Sequence, residues 1–316
     1  MLVRVDDERF RSVQWSSRKS FGAISLEPSP PPLHHHHHHH HHEQPPALPE
    51  SSEQVPVEPA STSAPIEGSH RSSVDAAETA KFAAIAATWW DYQGPFKPLH
   101  IMNQIRISFI RSAICRHFRK DANSARPLEG LQIVDVGCGG GLLCEPLARM
   151  GGLITGIDAV EKNLGVASLH AARDPATASI KYLCTTAEQM VHEQEKFDVV
   201  IALEVIEHVA DPMEFCKSLA ALTKKNGIVF ISTLNRSIQS FGLAIVAAEY
   251  VLGWLPQGTH NWSKFVTPEE LALLMGKASL SVEEMAGMVY NPFSQKWSLS
   301  EDTSVNYIAL GVKRDT

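Results

Sequence analysis

A glycine-rich loop between a predicted strand and a predicted helix constrains the fold of this chain more than any other feature. The β-rich run 131–136 is followed directly by residues 137–141, four of which are glycine. Glycines allow a tight turn there, and without a Cβ a nucleoside-bearing ligand can approach the backbone at the helix N-terminus. Asp158 ends the next predicted strand, where its carboxylate can accept hydrogen bonds from both ribose hydroxyls. The loop around Gly137 and the acid at Asp158 together predict a nucleoside-cofactor site.

Short β-rich runs recur after this loop, and helical patterns fill the gaps between them. The runs cover residues 153–157, 180–184, 197–203, 228–233, 280–286 and 304–312. Strands that alternate with helices at this spacing predict an α/β fold, with a Rossmann-like, mostly parallel, doubly wound sheet of seven strands. Two helical stretches precede the first strand, and a helix-rich insert at 238–255 follows the fifth.

Composition divides the chain at about residue 74. Residues 1–74 carry nine consecutive histidines, from 34 to 42, and a Pro/Glu/Ser-rich tract, so they bury too little apolar surface to offset chain entropy. We expect a disordered low-complexity leader whose Arg/Ser-rich beginning resembles a transit peptide, although three acidic residues at 6–8 weaken that match. The histidine run is interpreted as natural low complexity, with a purification tag or metal binding as alternatives. Residues 75–316 are expected to form one globular domain.

Charge and cysteine content exclude several classes of protein. A formal net charge of −7 argues against general nucleic-acid binding, which needs clustered Lys and Arg. Five cysteines without a CxxC pair predict reduced thiols instead of a disulfide framework or a zinc ribbon. The most apolar stretch, 238–255, is too polar for a membrane span, so we expect a soluble or peripheral protein.

Details of the loop decide between nucleoside cofactors. Leu142 stands where a dinucleotide fingerprint needs a small residue for close packing of helix on strand, which weakens an NAD interpretation. Asp135 and the GxGGG form instead resemble motif I of class I S-adenosylmethionine-dependent methyltransferases, with Asp158 in the ribose position of motif II. The segment TTAE at 185–188 follows the third strand, as the segment flanking adenine does in those enzymes.

A second cluster of chemistry-bearing residues follows the fourth strand. If the chain turns helical at Glu204, then Glu204, Glu207 and His208 share one helix face. Two carboxylates and an imidazole can hold a divalent ion that binds a catechol and lowers the pKa of the hydroxyl to be methylated. His208 as a direct general base is the competing role. A Glu-His pair here also occurs in class I methyltransferases without metal, so a purely structural role stays open.

Motifs spread over residues 80–312 make the chain similar to ubiquinone biosynthesis O-methyltransferases of the mitochondrial type. They are KF at 81–82, WWD at 89–91, GPFKPLH at 94–100, Asn103, Arg106, DVGCGGGLL at 135–143, EVIEHV at 204–209, STLNR at 232–236, AEY at 248–250, PQGTH at 256–260, YNP at 290–292 and VNY at 305–307. The resemblance implies a class I methyltransferase domain at 75–316. It also implies methylation of catechol hydroxyls at two stages, on a polyprenylated dihydroxybenzoate and on a demethylubiquinol-type intermediate.

The resemblance also implies site residues. It places Arg106, Gly137, Asp158 and Leu203 at S-adenosylmethionine, and Glu204, Glu207 and His208 at Mg²⁺ or a similar ion. Arg106 can pair with the methionine carboxylate through its guanidinium. Leu203 stands where relatives often have Met or Ser, a small departure if its backbone makes the contact. His260 is an alternative base.

A polyprenylated substrate implies a location at a bilayer. The expected place is the matrix side of the mitochondrial inner membrane, with peripheral contact, and a multi-enzyme coenzyme Q complex is a possible partner. The insert 238–255 is interpreted as an interfacial helix or as an ordinary lid or core helix. Another small-molecule class I methyltransferase and a non-catalytic scaffold are the alternative functions.

Overall fold

The structure is a computed structural model that describes residues 75–237, 262–291, 293–294 and 296–314. The expectations for the leader 1–74, for the insert 238–255 and for His260 lie outside the described residues. Within them, no helix is long and apolar enough to cross a membrane.

The described chain forms one mixed sheet with helices on both faces. Its strands are β1 (Gln132–Val136), β2 (Leu153–Asp158), β3 (Lys181–Cys184), β4 (Phe197–Leu203), β5 (Thr223–Leu234), β6 (Leu280–Asn291), β7 (Lys296–Ser300) and β8 (Asn306–Lys313). They lie in the order β3-β2-β1-β4-β5-β8-β6-β7. The first five strands in this order are parallel, whereas β8, β6 and β7 pair antiparallel. The predicted Rossmann-like, doubly wound architecture is confirmed.

The strand count differs from the prediction by one. All seven predicted strands are present, and the described residues add an eighth, Lys296–Ser300, which pairs with β6 at the sheet edge. This strand is short and largely exposed, so its sequence lacks the apolar run that marked the others. It forms because a short turn folds the chain back onto β6, where the backbone groups of β6 are open to pairing.

Seven α-helices are described. They are α1 (Ala76–Ile85), α2 (Lys97–His117), α3 (Cys144–Arg149), α4 (Glu161–Ala171), α5 (Ala187–His192), α6 (Pro212–Leu222) and α7 (Pro268–Lys277). Helix α1 continues into a short 3₁₀ turn at Ala86–Thr88, and another 3₁₀ turn at Ile206–His208 follows β4. The two predicted N-terminal helices are therefore present as α1 and α2.

Alternating side chains of the strands build two apolar layers. Ile133 of β1 packs on one face with Phe109 and Ile114 of α2, while Val134 packs on the other face with Leu219 of α6. All of these side chains are buried. Neighbouring strand residues point to opposite faces, and helices cover both, as expected for a parallel sheet buried on its two sides.

The strand order reverses at β1. This strand lies between β2, which leads towards one edge, and β4, which leads towards the other. In open α/β sheets, ligands bind beyond the carboxyl ends of the strands at such a reversal. The glycine loop, Asp158 and Glu204 follow or end β1, β2 and β4, so the fold brings the two predicted clusters to this one crevice.

Candidate active site

The glycine loop is pinned against the end of β2. The backbone N–H groups of Gly137 and Cys138 both donate to the carbonyl of Ile157, at 2.8 and 2.9 Å. Gly137 has φ +73°, and a Cβ there would lie 2.6 Å from Cγ2 of Val205. Glycine is therefore required at this position for two reasons, the left-handed backbone and the close approach of the segment that follows β4.

Asp158 is held by three donors in the described residues. Its Oδ1 accepts from the Val160 N–H at 2.8 Å and from Nδ2 of Asn163 at 3.2 Å, and its Oδ2 accepts from the Gly139 N–H at 2.9 Å. Burial raises the pKa of Asp158, and these hydrogen bonds oppose that rise. The carboxylate is thus oriented before any ligand arrives, at the place predicted for the ribose.

Asp135 lies beneath the loop and is almost fully buried. Its Oδ2 accepts from Sγ of Cys144 at 3.2 Å. Burial raises the pKa of Asp135 to about 7, and the charge of Asp158 adds to the rise. The sequence identified this residue by its motif but gave no signal of its raised pKa.

Glu204 begins the acidic cluster in an unusual conformation. Its φ is +57°, in the left-handed region, and its N–H donates to the carbonyl of Ser232 at 3.0 Å. Its Oε1 accepts from NH2 of Arg106 and from Oγ of Ser232, each at 2.7 Å. Arg106 is buried, and its Nε has no hydrogen-bond partner among the described residues. The residue predicted to face the cofactor therefore also neutralises Glu204.

Glu207 is buried behind this pair. Its Oε2 accepts from Oγ1 of Thr233 at 2.8 Å, whereas its Oε1 has no hydrogen-bond partner in the part of the chain that the structure describes. Burial raises the pKa of Glu207 to about 8, with a further contribution from the charge of Glu204. A buried acid with a raised pKa in a crevice is a candidate for proton transfer.

His208 faces the N-terminal helix α1. Its Nδ1 lies 2.9 Å from Oε2 of Glu78, and its ring meets the edge of Phe82 at a centroid distance of 5.1 Å. Although burial favours the neutral acid, hydrogen bonds from Lys81 and His208 lower the pKa of Glu78. An ionised carboxylate only accepts hydrogen bonds, so the proton at this contact belongs to Nδ1 of His208.

The predicted local geometry of the cluster is wrong in one respect. The chain does not turn helical at Glu204, because a left-handed residue and a 3₁₀ turn at Ile206–His208 replace the expected α-helix. Glu204, Glu207 and His208 therefore do not share a helix face. Among the residues that the structure describes, no three His, Cys, Asp or Glu side chains are grouped so as to hold a metal ion.

Several partners in the site were missed by sequence reasoning. Glu78, Ser232 and Thr233 contact the acidic cluster, and Asn163 contacts Asp158. Ser232 and Thr233 belong to the STLNR motif, which marked the segment without giving it a role. Leu203 is the last residue of β4 and is half-buried. In the sequence it directly precedes Glu204.

Comparisons with known proteins place this chain in a family. The family described as "Methyltransferase domain" matches residues 106–285. A relative from Arabidopsis thaliana, named "Ubiquinone biosynthesis O-methyltransferase, mitochondrial", is 60% identical over 246 residues, which cover 78% of this chain and 76% of the relative. The chain belongs to the ubiquinone biosynthesis O-methyltransferase family. The prediction made from its motifs is confirmed.

Two further matches agree with this family and its fold. A ubiquinone biosynthesis O-methyltransferase from Parvibaculum lavamentivorans is 52% identical over 240 residues, covering 76% of this chain and 94% of the relative. The crystal structure of magnesium protoporphyrin IX methyltransferase from Synechocystis with bound SAH matches with a TM-score of 0.53 at 21% identity, covering 75% of this chain and 96% of that one. This second likeness shows the class I methyltransferase fold alone. As a ubiquinone biosynthesis O-methyltransferase family member, the chain is an S-adenosylmethionine-dependent enzyme.

Proposed function

We propose that the chain methylates hydroxyl oxygens of polyprenylated catechols and quinols in ubiquinone biosynthesis. The two substrates would be a polyprenyl-dihydroxybenzoate and a demethylubiquinol intermediate. One observation carries the proposal: at the reversal of strand order, a preformed ribose-type site at Asp158 and a buried acid with an unpartnered oxygen, Glu207, flank the same crevice. A methyl donor and a group that handles the hydroxyl proton are what this reaction requires.

On the cofactor side, we assign S-adenosylmethionine contacts to Arg106, Gly137, Asp158 and Leu203. Asp158 has one described donor on Oδ2, so this oxygen retains acceptor capacity for a ribose hydroxyl. Gly137, with its left-handed backbone, lets the loop turn tightly at the end of β1, and its missing Cβ leaves room for Val205. Arg106 uses NH2 for Glu204 and has no partner at Nε, which leaves donor capacity for the methionine carboxylate.

On the substrate side, we assign the catalytic work to Glu204, Glu207 and His208. A phenolic hydroxyl has a pKa of about 10, so it must lose its proton or share it before the oxygen attacks the methyl group. His208, fixed by Glu78 through Nδ1, can take the proton at Nε2. The displacement at the sulfonium needs little covalent help, so the remaining task is to hold oxygen, methyl and sulfur in line.

The same three residues are our candidates for holding Mg²⁺ or a similar ion. Their donor types suit a divalent cation, although the three side chains are not grouped around a common point in the described structure. Oε1 of Glu207 is buried without a partner, an oxygen that a cation would satisfy, whereas Glu204 and His208 contact Arg106 and Glu78. When bound, the ion would lower the pKa of the substrate hydroxyl.

The cellular setting follows from the substrate and from the relative named as mitochondrial. We place the protein at the matrix side of the mitochondrial inner membrane, in peripheral contact with the bilayer that holds the polyprenyl tail. Membership in a coenzyme Q biosynthesis complex completes this proposal. Flotation of the full chain with cardiolipin-containing vesicles tests the membrane contact, and a chain that stays at the bottom of the gradient would contradict it.

Methyl transfer itself is tested with the full chain, S-adenosylmethionine labelled in its methyl group and a short-chain prenyl dihydroxybenzoate. We expect labelled O-methyl product, loss of product with EDTA and recovery with Mg²⁺. Product that is unaffected by EDTA would remove the metal from the proposal. Absence of product with both substrates and every divalent ion, from a chain that still binds SAH, would refute the substrate assignment.

A further inference from the structure

Trp89, which lies between α1 and α2, packs on the glycine loop. Its side chain is buried and stacks on Phe96 with ring centroids 3.7 Å apart and planes 5° from parallel. A Cβ built on Gly139 would lie 2.3 Å from its ring, and one on Gly140 would lie 2.4 Å from it. The indole therefore rests directly on bare backbone of the loop, where any larger residue would push it away.

A chain of hydrogen bonds leads from this indole to Asp158. Nε1 of Trp89 donates to Oδ1 of Asn163 at 2.9 Å, and Nδ2 of Asn163 lies 3.2 Å from Oδ1 of Asp158. Asn163 is the third residue of α4 and is buried, with 2% of its surface exposed. The two bonds connect the segment before α2 to the end of β2, elements that are distant in the sequence.

Donor and acceptor chemistry fixes the direction of these two hydrogen bonds. An indole nitrogen only donates, so it requires the oxygen of the Asn163 amide on its side. The amide nitrogen is then forced to face Asp158, where it donates to an acceptor. The two contacts favour the same orientation of the amide, so loss of the indole N–H would leave that orientation less firmly held and the Asn163 oxygen without this donor. The proton on Trp89 thus strengthens the support that Asn163 gives to the charge of Asp158.

We propose that Trp89 and Asn163 are positioning residues that set the affinity for the ribose of S-adenosylmethionine through Asp158. This inference rests on the proposed role of Asp158 as the ribose ligand. Neither residue needs to touch the ribose itself. Their effect is to hold the Asp158 carboxylate ionised and turned so that Oδ2 remains directed at the cofactor.

The first experiment measures SAH binding to the full chain by calorimetry. Trp89→Phe keeps an aromatic ring beside Phe96 but removes the N–H together with one ring of the indole, whereas Asn163→Ala removes the donor to Asp158. We expect Kd to rise about threefold for Trp89→Phe and about tenfold for Asn163→Ala, because a hydrogen bond to a charged group is lost or weakened. Trp297→Phe, a half-buried tryptophan on the edge strand β7, is the matched control and should leave Kd unchanged.

A second ligand separates positioning from packing. The 2′,3′-dideoxy analogue of SAH has no hydroxyls for Asp158, so its affinity should be nearly equal for the native chain, Trp89→Phe and Asn163→Ala. The preference for SAH over the analogue should therefore shrink by the same three- and tenfold factors. A loss that is equal for both ligands would mean that Trp89 and Asn163 act only in packing, and would overturn the proposal.

The two levels of the argument can fail separately. If Asp158→Asn reduces the preference for SAH but Trp89→Phe and Asn163→Ala do not, the ribose role of Asp158 stands and the positioning role falls. If the native chain itself does not distinguish SAH from the dideoxy analogue, the ribose role falls first. In a double-mutant cycle, Asn163→Ala should add less than twofold to Asp158→Asn, because both act through one carboxylate. Fully additive losses would contradict that coupling.

A steady-state measurement gives an independent check. Because the chemical step does not involve Trp89, Trp89→Phe should raise KM for S-adenosylmethionine and leave kcat at saturating cofactor within twofold. A fall in kcat without a change in KM would contradict a role in cofactor affinity. The melting temperature of each variant controls for folding. A further variant, Asn163→Asp, keeps the size of the side chain but places a second acid beside Asp158. It should therefore weaken SAH binding more than Asn163→Ala does.

Discussion

Asp158 and Glu207, one acid from each side of the crevice, differ in how completely their carboxylate oxygens accept hydrogen bonds. Around the glycine loop, two N–H groups share the carbonyl of Ile157, and Asp158 accepts from three donors. In the cluster after β4, Glu204 is in a left-handed conformation, and one oxygen of Glu207 is buried without a partner. The first region is assembled for binding, whereas the second holds strained and incompletely paired groups.

This difference shows which part of the crevice contains groups that lower the stability of the fold. Strain and unpaired buried groups persist only where the surrounding structure enforces them, and they concentrate at sites of chemistry. The burial of Glu207, which raises its pKa, makes it a candidate for proton exchange with the substrate. The satisfied side should therefore respond to mutation mainly in affinity and stability, and the unsatisfied side mainly in turnover.

Glu207→Gln should have the largest effect of the variants that test this contrast. Glutamine keeps the size and the contact to Thr233, but it cannot exchange a proton at neutral pH and is a poorer ligand for a cation. We expect kcat to fall by about 10²–10³, in the range of lost acid–base catalysis, while Kd for SAH stays within twofold. Glu283→Gln, at an exposed ion pair with Arg314, is the matched control. A kcat within threefold of the native value would contradict a chemical role for Glu207.

Gly137→Ala probes the satisfied side with the next largest effect. The positive φ and the clash with Val205 should cost about 2–4 kcal/mol of unfolding free energy, and SAH binding should weaken more than tenfold. Gly165→Ala, in α4 with nothing near its Cβ position, is the control and should stabilise the chain by about 0.5–1 kcal/mol. Chemical denaturation and calorimetry measure both quantities. Equal stability of the two variants would show that the loop tolerates a side chain.

The sequence was informative where a local backbone demand decides the residue. Gly137 could be placed because a left-handed turn after a strand needs glycine, and the seven regular strands because buried strands need apolar runs. The conformation of Glu204 could not be predicted, since its turn is fixed by the Ser232 carbonyl of β5 and by the buried Arg106. Glu78 was missed for the same reason: its partner His208 is 130 positions away in the chain.

Asp135→Asn tests whether a buried acid beneath the glycine loop lowers the free energy of unfolding. Its pKa in the folded chain, about 7, lies above the ordinary value of 3.8. A raised pKa means that stability present below pH 4 is lost as the pH rises through 7, and the asparagine variant escapes this loss. We expect the variant to be more stable by about 1–3 kcal/mol at pH 8, with the difference closing towards pH 4. Denaturation curves at both pH values decide. A difference that does not change with pH would contradict the raised pKa.

Glu78→Gln should have the smallest effect of these variants. It tests whether a residue outside the sheet influences turnover through His208. Glu78 lies on α1, outside the sheet, yet its carboxylate fixes the proton of His208 on Nδ1. A glutamine can present either its oxygen or its nitrogen to the ring, so the histidine loses a defined orientation but keeps a neighbour of the same size. We expect kcat/KM for the phenolic substrate to fall about five- to tenfold, the scale of a weakened hydrogen bond to a charged group.

The control for this variant must separate the histidine contact from the other partners of Glu78. Lys81→Met removes the ion pair with Glu78, at 3.1 Å, in which the lysine is exposed and the carboxylate buried, and leaves the contact with His208 in place. Because Lys264 lies 3.9 Å from the same carboxylate and His208 still donates to it, Glu78 keeps two of its partners, and this variant should keep kcat/KM within twofold. Both variants should bind SAH with native affinity, because the described side-chain contacts of Glu78 are with His208, Lys81 and Lys264 and none is with the glycine loop. Loss of SAH affinity in Glu78→Gln would mean that α1 supports the cofactor side as well, and the two halves of the crevice would then have to be treated as one coupled unit.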